Sequence, residues 1–346
     1  MSSITSLSQS TPLKIAINGF GRIGRQFFKV AFDNPNIQII AINDLQDINA
    51  LAYLLKYDTV YGRYKKQVKV KDENFLIDGT KVKFYSNPKP QDLPWKDLNI
   101  DVVVESTGFF TTYKKASAHL QAGAKRVVIS APAKDEQTPT ATPNNKISHV
   151  ADSKITSNGS CTTNAATPVT SVLELTVGVK CALLNTVHGY TSTQSLVDKP
   201  NTKDFRRGRA AAQNLIPTTS GAAISVTKVF PSLAGNMDAM AIRVPVVSGS
   251  ILDYTFVSKK PTSKEELNNI FKEYSQKKEW KGILGVTQDP IVSTDILKNP
   301  NGAVVDLSMT RVINNTLCKL LVWYDNEWGY VNMLLKHILQ IGALMS

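Results

Sequence analysis

Cys161 lies in the run Asn158-Gly159-Ser160-Cys161-Thr162-Thr163-Asn164, where loop composition gives way to a helix-forming stretch. A thiol at the start of a helix meets free backbone N–H groups and the positive end of the helix dipole, and both stabilise its thiolate. A free cysteine with a pKa near ~8.5 is only slightly ionised at neutral pH, so a nucleophile needs such help. Ser160, Thr162 and Thr163 add hydroxyl donors for an oxyanion or a phosphate. His188 follows the apolar run Ala182–Val187 and so ends a strand, from which an imidazole can reach into a cleft as a base. Cys161 and His188 are expected to form a thiolate–imidazolium couple. The other two cysteines, Cys181 and Cys318, sit among Val, Ala and Leu and read as small buried hydrophobes.

A second constellation is Gly19-Phe20-Gly21-Arg22-Ile23-Gly24, placed after a short apolar strand and before a helix-like stretch. In that context Gly19 allows a tight turn, Gly21 lets backbone approach a pyrophosphate, and Gly24 lets helix and strand pack closely. Asp44 follows about 20 residues on, where a carboxylate accepts from an adenosine ribose and repels a 2′-phosphate. The expected cofactor is therefore NAD rather than NADP. Arg206-Arg207-Gly208-Arg209, Thr219-Ser220-Gly221 and Arg243 supply the guanidinium and hydroxyl groups that phosphate recognition needs. Arg243 lies inside the apolar run Ala239–Val244, where its charge demands a carboxylate or a bound anion.

The elements that must position these residues follow from periodicity. Lys14–Asn18, a helix to about Phe32 and Ile37–Ile42 form a βαβ unit, which implies a parallel sheet. Gln67–Tyr85 reads as antiparallel excursions with a hairpin turn at Asp78-Gly79. Strands resume at Asp101–Glu105 and Arg126–Ile129 around a helix near Lys114–Ala122, and Lys134–Asn145 reads as loop or irregular edge. A helix over Thr162–Leu175, kinked at Pro168, introduces a second grammar of long strands at Ala239–Val244, Ser250–Phe256, Val304–Asp306 and Leu317–Tyr324. Ser263 with Glu266 predicts a capping box for a helix to about Lys277, and Asn326–Met345 has the spacing of a closing helix. The expected class is α/β: an N-terminal Rossmann-type parallel-sheet unit plus an α+β unit with a mostly antiparallel sheet. The expected boundaries are 1–12 (a disordered extension), 13–160 (NAD binding), 161–325 (catalysis) and 326–346 (a helix returning to the first unit).

The length of 346 residues allows two or three domains, and 42% hydrophobic with 20% charged residues argues against wholesale disorder. No apolar window is long enough to span a membrane. Three cysteines without a CxxC pair make neither a disulfide framework nor a zinc site, and His119, His149, His188 and His337 lack HExxH spacing, so no metal is expected. A reducing, cytoplasmic compartment fits. The segment Met1–Thr11 lacks the apolar region of a secretory signal. A net charge of +12 favours anionic partners, and Arg63-Tyr64-Lys65-Lys66 leaves nucleic acid as a secondary partner, although no RRM, KH or zinc-finger signature is present. Gly159-Ser160-Cys161 also echoes a cysteine-protease signature, but that pattern wants an aromatic nearby and a histidine about 130–150 residues on.

From Lys14 to its C-terminus the chain resembles the phosphorylating glyceraldehyde-3-phosphate dehydrogenases. The resemblance rests on Ile17–Arg25, Glu105-Ser106-Thr107-Gly108, Ile129-Ser130-Ala131-Pro132, Ser160–Asn164 and Trp323–Tyr330. It implies oxidation of glyceraldehyde 3-phosphate with NAD and inorganic phosphate through a cysteine thioester in glycolysis, by a homotetramer. Cys161 would be the nucleophile and His188 the base. Thr191 and Arg243 would hold the substrate's phosphate; Ser160, Thr162, Arg207, Ser220 and Gly221 would hold inorganic phosphate. Gly19, Gly21, Arg22, Ile23, Gly24, Asp44, Ser130, Pro200, Asn326 and Tyr330 would bind the cofactor, with residues 194–213 reaching a neighbouring subunit. A sister enzyme acting on erythrose 4-phosphate would share the cofactor residues. Three positions depart from the pattern: Ala165 replaces a second cysteine, Ser220 replaces a threonine, and Gly189, in place of Ser or Ala, is expected to loosen the turn beside His188.

Overall fold

The computed structural model describes residues 11–143 and 150–345. Most of the expected extension, together with Asn144, Asn145 and His149, lies outside the described residues. The chain forms two compact units: one runs through Gly159 and resumes at Leu334, and the other is Ser160–Met333.

The first unit contains β1 (Leu13–Asn18), α1 (Arg22–Ala31), β2 (Ile37–Asn43), α2 (Ile48–Lys56), β3 (Val68–Lys71), β4 (Asn74–Ile77), β5 (Thr80–Tyr85), β6 (Val102–Glu105), α3 (Tyr113–Gln121), β7 (Arg126–Ile129) and β8 (Ile155–Ser157). Among the described residues these strands form one sheet in the order β3-β4-β5-β2-β1-β6-β7-β8. β2 and β6 flank β1 on opposite sides, both parallel to it. The strand order thus reverses at β1, where open α/β sheets bind ligands beyond the carboxyl ends of their strands. All four residues of β6 are buried, as expected for a strand covered on both faces. The β3-β4-β5 excursion is antiparallel, and its turn residues Asp78 and Gly79 both have positive φ, 47° and 84°, which suits a tight hairpin.

The second unit contains α4 (Cys161–Leu175), β9 (Val179–Gly189), β10 (Ile216–Thr219), α5 (Ala222–Val229), β11 (Met237–Val244), β12 (Ser250–Ser258), α6 (Lys264–Gln276), β13 (Leu284–Thr287), β14 (Ala303–Ile313) and β15 (Leu317–Tyr324). The sheet order is β10-β11-β9-β12-β15-β14-β13, with β9–β11 and β13–β14 parallel and the other pairs antiparallel. Its core gathers Val169, Val172 and Leu173 of α4 with Leu252, Tyr254, Leu320 and Val322 of the central strands. α7 (Trp328–Ala343) closes the chain. The division between units falls within this helix, after Met333, so only its later part joins the first unit.

Three local expectations need correction. Cys181 is exposed, whereas Cys318 is buried. β9 is apolar on both faces, and only one face lies on the helices, so composition gave no sign of which side Cys181 takes. Ser263 caps α6 by accepting from Glu266 N at 3.1 Å, but Glu266 accepts from Thr262 Oγ1 at 2.9 Å, so the box is not closed by Glu266 on the cap residue. β14 runs well past Asp306, across a register shift between Asp306 and Arg311.

Candidate active site

Cys161 is the first residue of α4. Ser160 caps the helix: its Oγ accepts from Thr163 N at 3.0 Å, while Thr163 Oγ1 accepts from Ser160 N at 3.1 Å. This reciprocal pair uses a threonine where a glutamate is usual and fixes the direction in which the Cys161 side chain leaves the helix. His188 is near the end of β9, 3% exposed, and its Nε2 is 3.2 Å from Cys161 Sγ. Nδ1 lies 2.6 Å from the Gly189 carbonyl oxygen. The Tyr324 ring meets the imidazole edge-on at 6.0 Å, and the Tyr324 hydroxyl is tied to Thr162 Oγ1 at 3.0 Å and Thr186 Oγ1 at 2.6 Å.

The structure therefore brings Cys161 and His188 into contact. Burial pushes the Cys161 thiol up, against the nearby positive charge of Arg243 and hydrogen bonding at the helix start. Burial, reinforced by Arg243, lowers His188 to about 3. Burial thus opposes both charges of the expected thiolate–imidazolium pair, while Arg243 and hydrogen bonding at the helix start favour the thiolate.

Arg243 stands opposite His188 in the parallel pairing of β9 and β11. Its Nη1 lies 2.6 Å from His188 Nδ1 and 3.2 Å from the Gly189 oxygen. Burial weakens its hold on its proton, and Arg207 adds a like charge within reach. Arg207 Nε donates to Thr218 Oγ1 at 2.9 Å and pairs with Asp204 at 3.2 Å. Thr191 Oγ1 shares a hydrogen bond with Thr193 Oγ1 at 2.9 Å, and its N–H donates to Gln194 Oε1. Ser220 Oγ accepts from Ala222 N, and Gly221 precedes α5. The Thr162 hydroxyl turns inward to Tyr324, so any anion contact from this residue falls to its backbone N–H. Gly189 proves packed rather than loose: a Cβ there would come within 2.9 Å of the Val246 carbonyl oxygen.

Asn326 is buried, and its Oδ1 accepts from Gly249 N at 3.0 Å and Ser250 Oγ at 2.9 Å. Its carbonyl is thus occupied, and the amide NH₂ is the end able to donate to a ligand. Tyr330 is 4% exposed within α7, and Pro200 is exposed in the segment between β9 and β10.

In the first unit Gly19 has φ +94° and no room for a side chain, since a Cβ would lie 2.6 Å from Thr107 N. A Cβ on Gly24 would lie 2.1 Å from the Gly19 carbonyl oxygen, whereas one on Gly21 would meet nothing within 4 Å. α1 begins at Arg22 with no side-chain cap and no acidic residue in its first turn. Its N–H groups, those of Arg22 and Ile23 included, suit a pyrophosphate. The Arg22 guanidinium itself pairs with Asp58 at 2.9 Å. Asp44 accepts from Phe20 N at 2.6 Å, which ties the glycine turn to the end of β2. Ser130 N donates to the Glu105 carbonyl at 2.9 Å at the end of β7. This uncapped helix start and open Gly21 face fit a dinucleotide.

Beneath the turn lies a buried network that residue patterns missed. Trp95 Nε1 donates to His119 Nδ1 at 3.0 Å, which leaves the proton on Nε2 to donate to Glu105 at 3.0 Å. Glu105 also accepts from Asn18 Nδ2 at 2.6 Å and Thr107 N at 2.8 Å, and Asn18 accepts from Asn43 at 2.7 Å. The signal available was the polar residue ending each apolar strand: Asn18, Asn43 and Glu105.

Residues 160–326 match the family model for the glyceraldehyde 3-phosphate dehydrogenase C-terminal domain, and residues 13–113 match that for its NAD binding domain. The chain is 46% identical to glyceraldehyde-3-phosphate dehydrogenase B of Aspergillus oryzae, over 96% of this chain and 98% of that protein. It is 46% identical to the glyceraldehyde-3-phosphate dehydrogenase of Borreliella burgdorferi over 92% and 96%, and 43% identical to glyceraldehyde-3-phosphate dehydrogenase 2 of Streptomyces avermitilis over 95% and 98%. With the nucleotide turn at β1 and the cysteine–histidine contact at α4, these matches show that the chain belongs to the glyceraldehyde-3-phosphate dehydrogenase family.

Proposed function

We propose that this protein is the NAD-dependent, phosphorylating glyceraldehyde-3-phosphate dehydrogenase of cytoplasmic glycolysis, with Cys161 as nucleophile and His188 as base. The 3.2 Å contact between Cys161 Sγ and His188 Nε2 at the start of a helix carries the reading. The names of the relatives favour glyceraldehyde 3-phosphate over erythrose 4-phosphate.

Gly19, Gly21 and Gly24, with the N–H groups of Arg22 and Ile23, would hold the pyrophosphate, Asp44 the adenosine ribose, and the Asn326 amide the nicotinamide carboxamide. Ser130, Pro200 and Tyr330 complete the assigned set. When bound, the dinucleotide supplies a hydride acceptor. Thr191 and Arg243 hold the phosphate of the substrate. Sγ adds to the aldehyde carbon and forms a hemithioacetal, with the Cys161 N–H donating to the developing oxyanion. His188 Nε2 removes the hydroxyl proton as that carbon is oxidised, help worth ~10²–10⁴-fold. A thioester on Cys161 results. Ser160, Thr162 N–H, Arg207, Ser220 and Gly221 hold inorganic phosphate, whose oxygen attacks the thioester carbon. The C–S bond breaks, and an acyl phosphate leaves.

A homotetramer fits the outer face of the second sheet. Leu183 is 67% and Met240 59% exposed, and a groove of about 400 Å³ is lined there by Cys181, Leu183, Met237, Val257 and Leu317. Apolar patches of this kind mark subunit contacts. Sedimentation should give four chains per particle.

The activity is tested by NADH absorbance with glyceraldehyde 3-phosphate and NAD, with and without inorganic phosphate. Sustained NADH production that depends on phosphate is expected. Production indifferent to phosphate would replace the phosphorylating reading with a hydrolytic one.

A further inference from the structure

Three adjacent strands of the second sheet, β9, β12 and β15, bring their ends together where the proposed chemistry lies. β9 ends at His188 and Gly189, and β15 ends at Tyr324, two residues before Asn326. β12 runs between them, antiparallel to both, and begins at Ser250. The register sets Ser250 opposite Tyr324 on one side and Ile251 opposite Val187 on the other. Ser250 therefore stands between the strand end that carries the base and the strand end that leads into Asn326.

The Ser250 hydroxyl meets both neighbours. Its Oγ accepts from Gly189 N at 3.2 Å and lies 2.9 Å from Asn326 Oδ1. A backbone N–H can only donate, so Gly189 takes a lone pair and the hydroxyl proton goes to Asn326. Asn326 Oδ1 thus receives Gly249 N and Ser250 Oγ, with Ser248 Oγ farther off at 3.4 Å. These donors fix the amide, because a flip would set its NH₂ against them. Gly189 also carries the carbonyl oxygen that lies 2.6 Å from His188 Nδ1. Ser250 is 1% exposed, so it acts through these partners and not on a ligand.

We propose that Ser250 is a positioning residue for hydride transfer: its hydroxyl sets the direction of the Asn326 amide and ties it to the end of β9 that carries His188. This rests on the reading above that Asn326 holds the nicotinamide carboxamide and His188 is the base. In the step concerned the C–H bond of the former aldehyde carbon breaks. Its electron pair leaves with the hydrogen for the dinucleotide, and the hydroxyl proton passes to His188 Nε2. Both transfers demand close alignment, and a misplacement of about 1 Å costs up to ~10²-fold in rate. Ser250 holds the two receiving groups at one spacing. Adenosine and pyrophosphate binding, which falls to Asp44 and the β1–α1 turn, does not depend on it.

Ser250→Ala removes the hydroxyl without adding bulk. Its affinity for NAD, followed by fluorescence titration, should fall about fivefold for the lost hydrogen bond. Its affinity for ADP-ribose, which has no nicotinamide, should be unchanged. At saturating NAD, kcat should fall about tenfold while KM for glyceraldehyde 3-phosphate stays the same. Substrate deuterated at the aldehyde carbon should then show a larger isotope effect on kcat than in the wild type, because hydride transfer has become slower. A residue that only supports the fold would move both ligands together and leave the isotope effect alone. Equal weakening of NAD and ADP-ribose, weakening of neither, or an unchanged isotope effect overturns the inference and leaves the proposed function standing. Asn326→Ala tells a deeper failure apart: NAD affinity unchanged in that variant removes Asn326 from the carboxamide, and the inference falls with that assignment. Ser250→Cys fills the same space with a weaker donor. It should repeat the pattern at smaller amplitude, and it decides the matter if Ser250→Ala does not fold.

Discussion

Two cysteines of the second unit should behave oppositely, and the reason is where their strand or helix puts them. Cys161→Ser should abolish phosphate-dependent NAD reduction, because a serine beside His188 is a far weaker nucleophile than a thiol. Binding of NAD, followed by fluorescence titration, should persist. Cys181→Ser should leave turnover per assembled molecule nearly unchanged, with any loss confined to assembly, since Cys181 lines the groove proposed as a subunit contact. Loss of chemistry in a folded Cys181→Ser protein would move the nucleophile. Asp44→Ala should narrow the preference for NAD over NADP. It removes the carboxylate that opposes a 2′-phosphate, and the next residues, Leu45, Gln46 and Asp47, offer no cation. The ratio of kcat/KM for the two cofactors measures it, and an unchanged ratio would take Asp44 out of cofactor selection.

At the level of elements, the glycines of the β1–α1 turn separate folding from binding. Gly24→Ala drives a Cβ to 2.1 Å from a backbone oxygen that cannot move aside. It should destabilise the protein by ~1–3 kcal/mol in chemical denaturation. Gly21→Ala meets open space at a negative φ of −70°, so the free protein should keep its stability. It should nonetheless bind NAD at least tenfold more weakly, because the methyl occupies the approach of the pyrophosphate. Equal effects of the two substitutions on stability would contradict this division. These glycines, the Cys161 helix start and the strand end at His188 were legible because each is a local pattern within about ten residues. The contact of Arg243 with His188 was not, because it depends on the register of β9 against β11. The Trp95–His119–Glu105 chain was hidden for the same reason, being assembled from three separate segments. Gly189 misled because a composition argument about flexibility ignores what packs above the backbone.

At the scale of the whole molecule, two of the buried histidines should steepen the response to acid. His188 and His337 are both lowered to about 3, chiefly by burial. His337 is held between Thr156 Oγ1 at 3.1 Å and Asn158 Oδ1 at 3.2 Å. In the unfolded chain each takes up a proton below about pH 6.5. Stability is therefore undiminished above that pH and declines as pH falls toward 3, by roughly 1 kcal/mol per pH unit for each histidine. Urea denaturation at pH 7.5, 6.0 and 5.0 should show the slope, and His337→Gln should reduce it by about half. A slope that is the same with and without His337 would mean that other groups dominate. His337 also belongs to α7, whose final turns complete a unit begun by β1, and a Cβ on Gly342 would strike Leu13. The nucleotide-binding unit is thus discontinuous: its sheet precedes the second unit in the chain and the final turns of α7 follow it. Until the C-terminal residues arrive, its sheet lacks the helix that covers the start of β1 and the imidazole that bridges Thr156 and Asn158. A chain stopped short at Met333 would lack both of these contacts and should be cut by proteases more readily than the full chain.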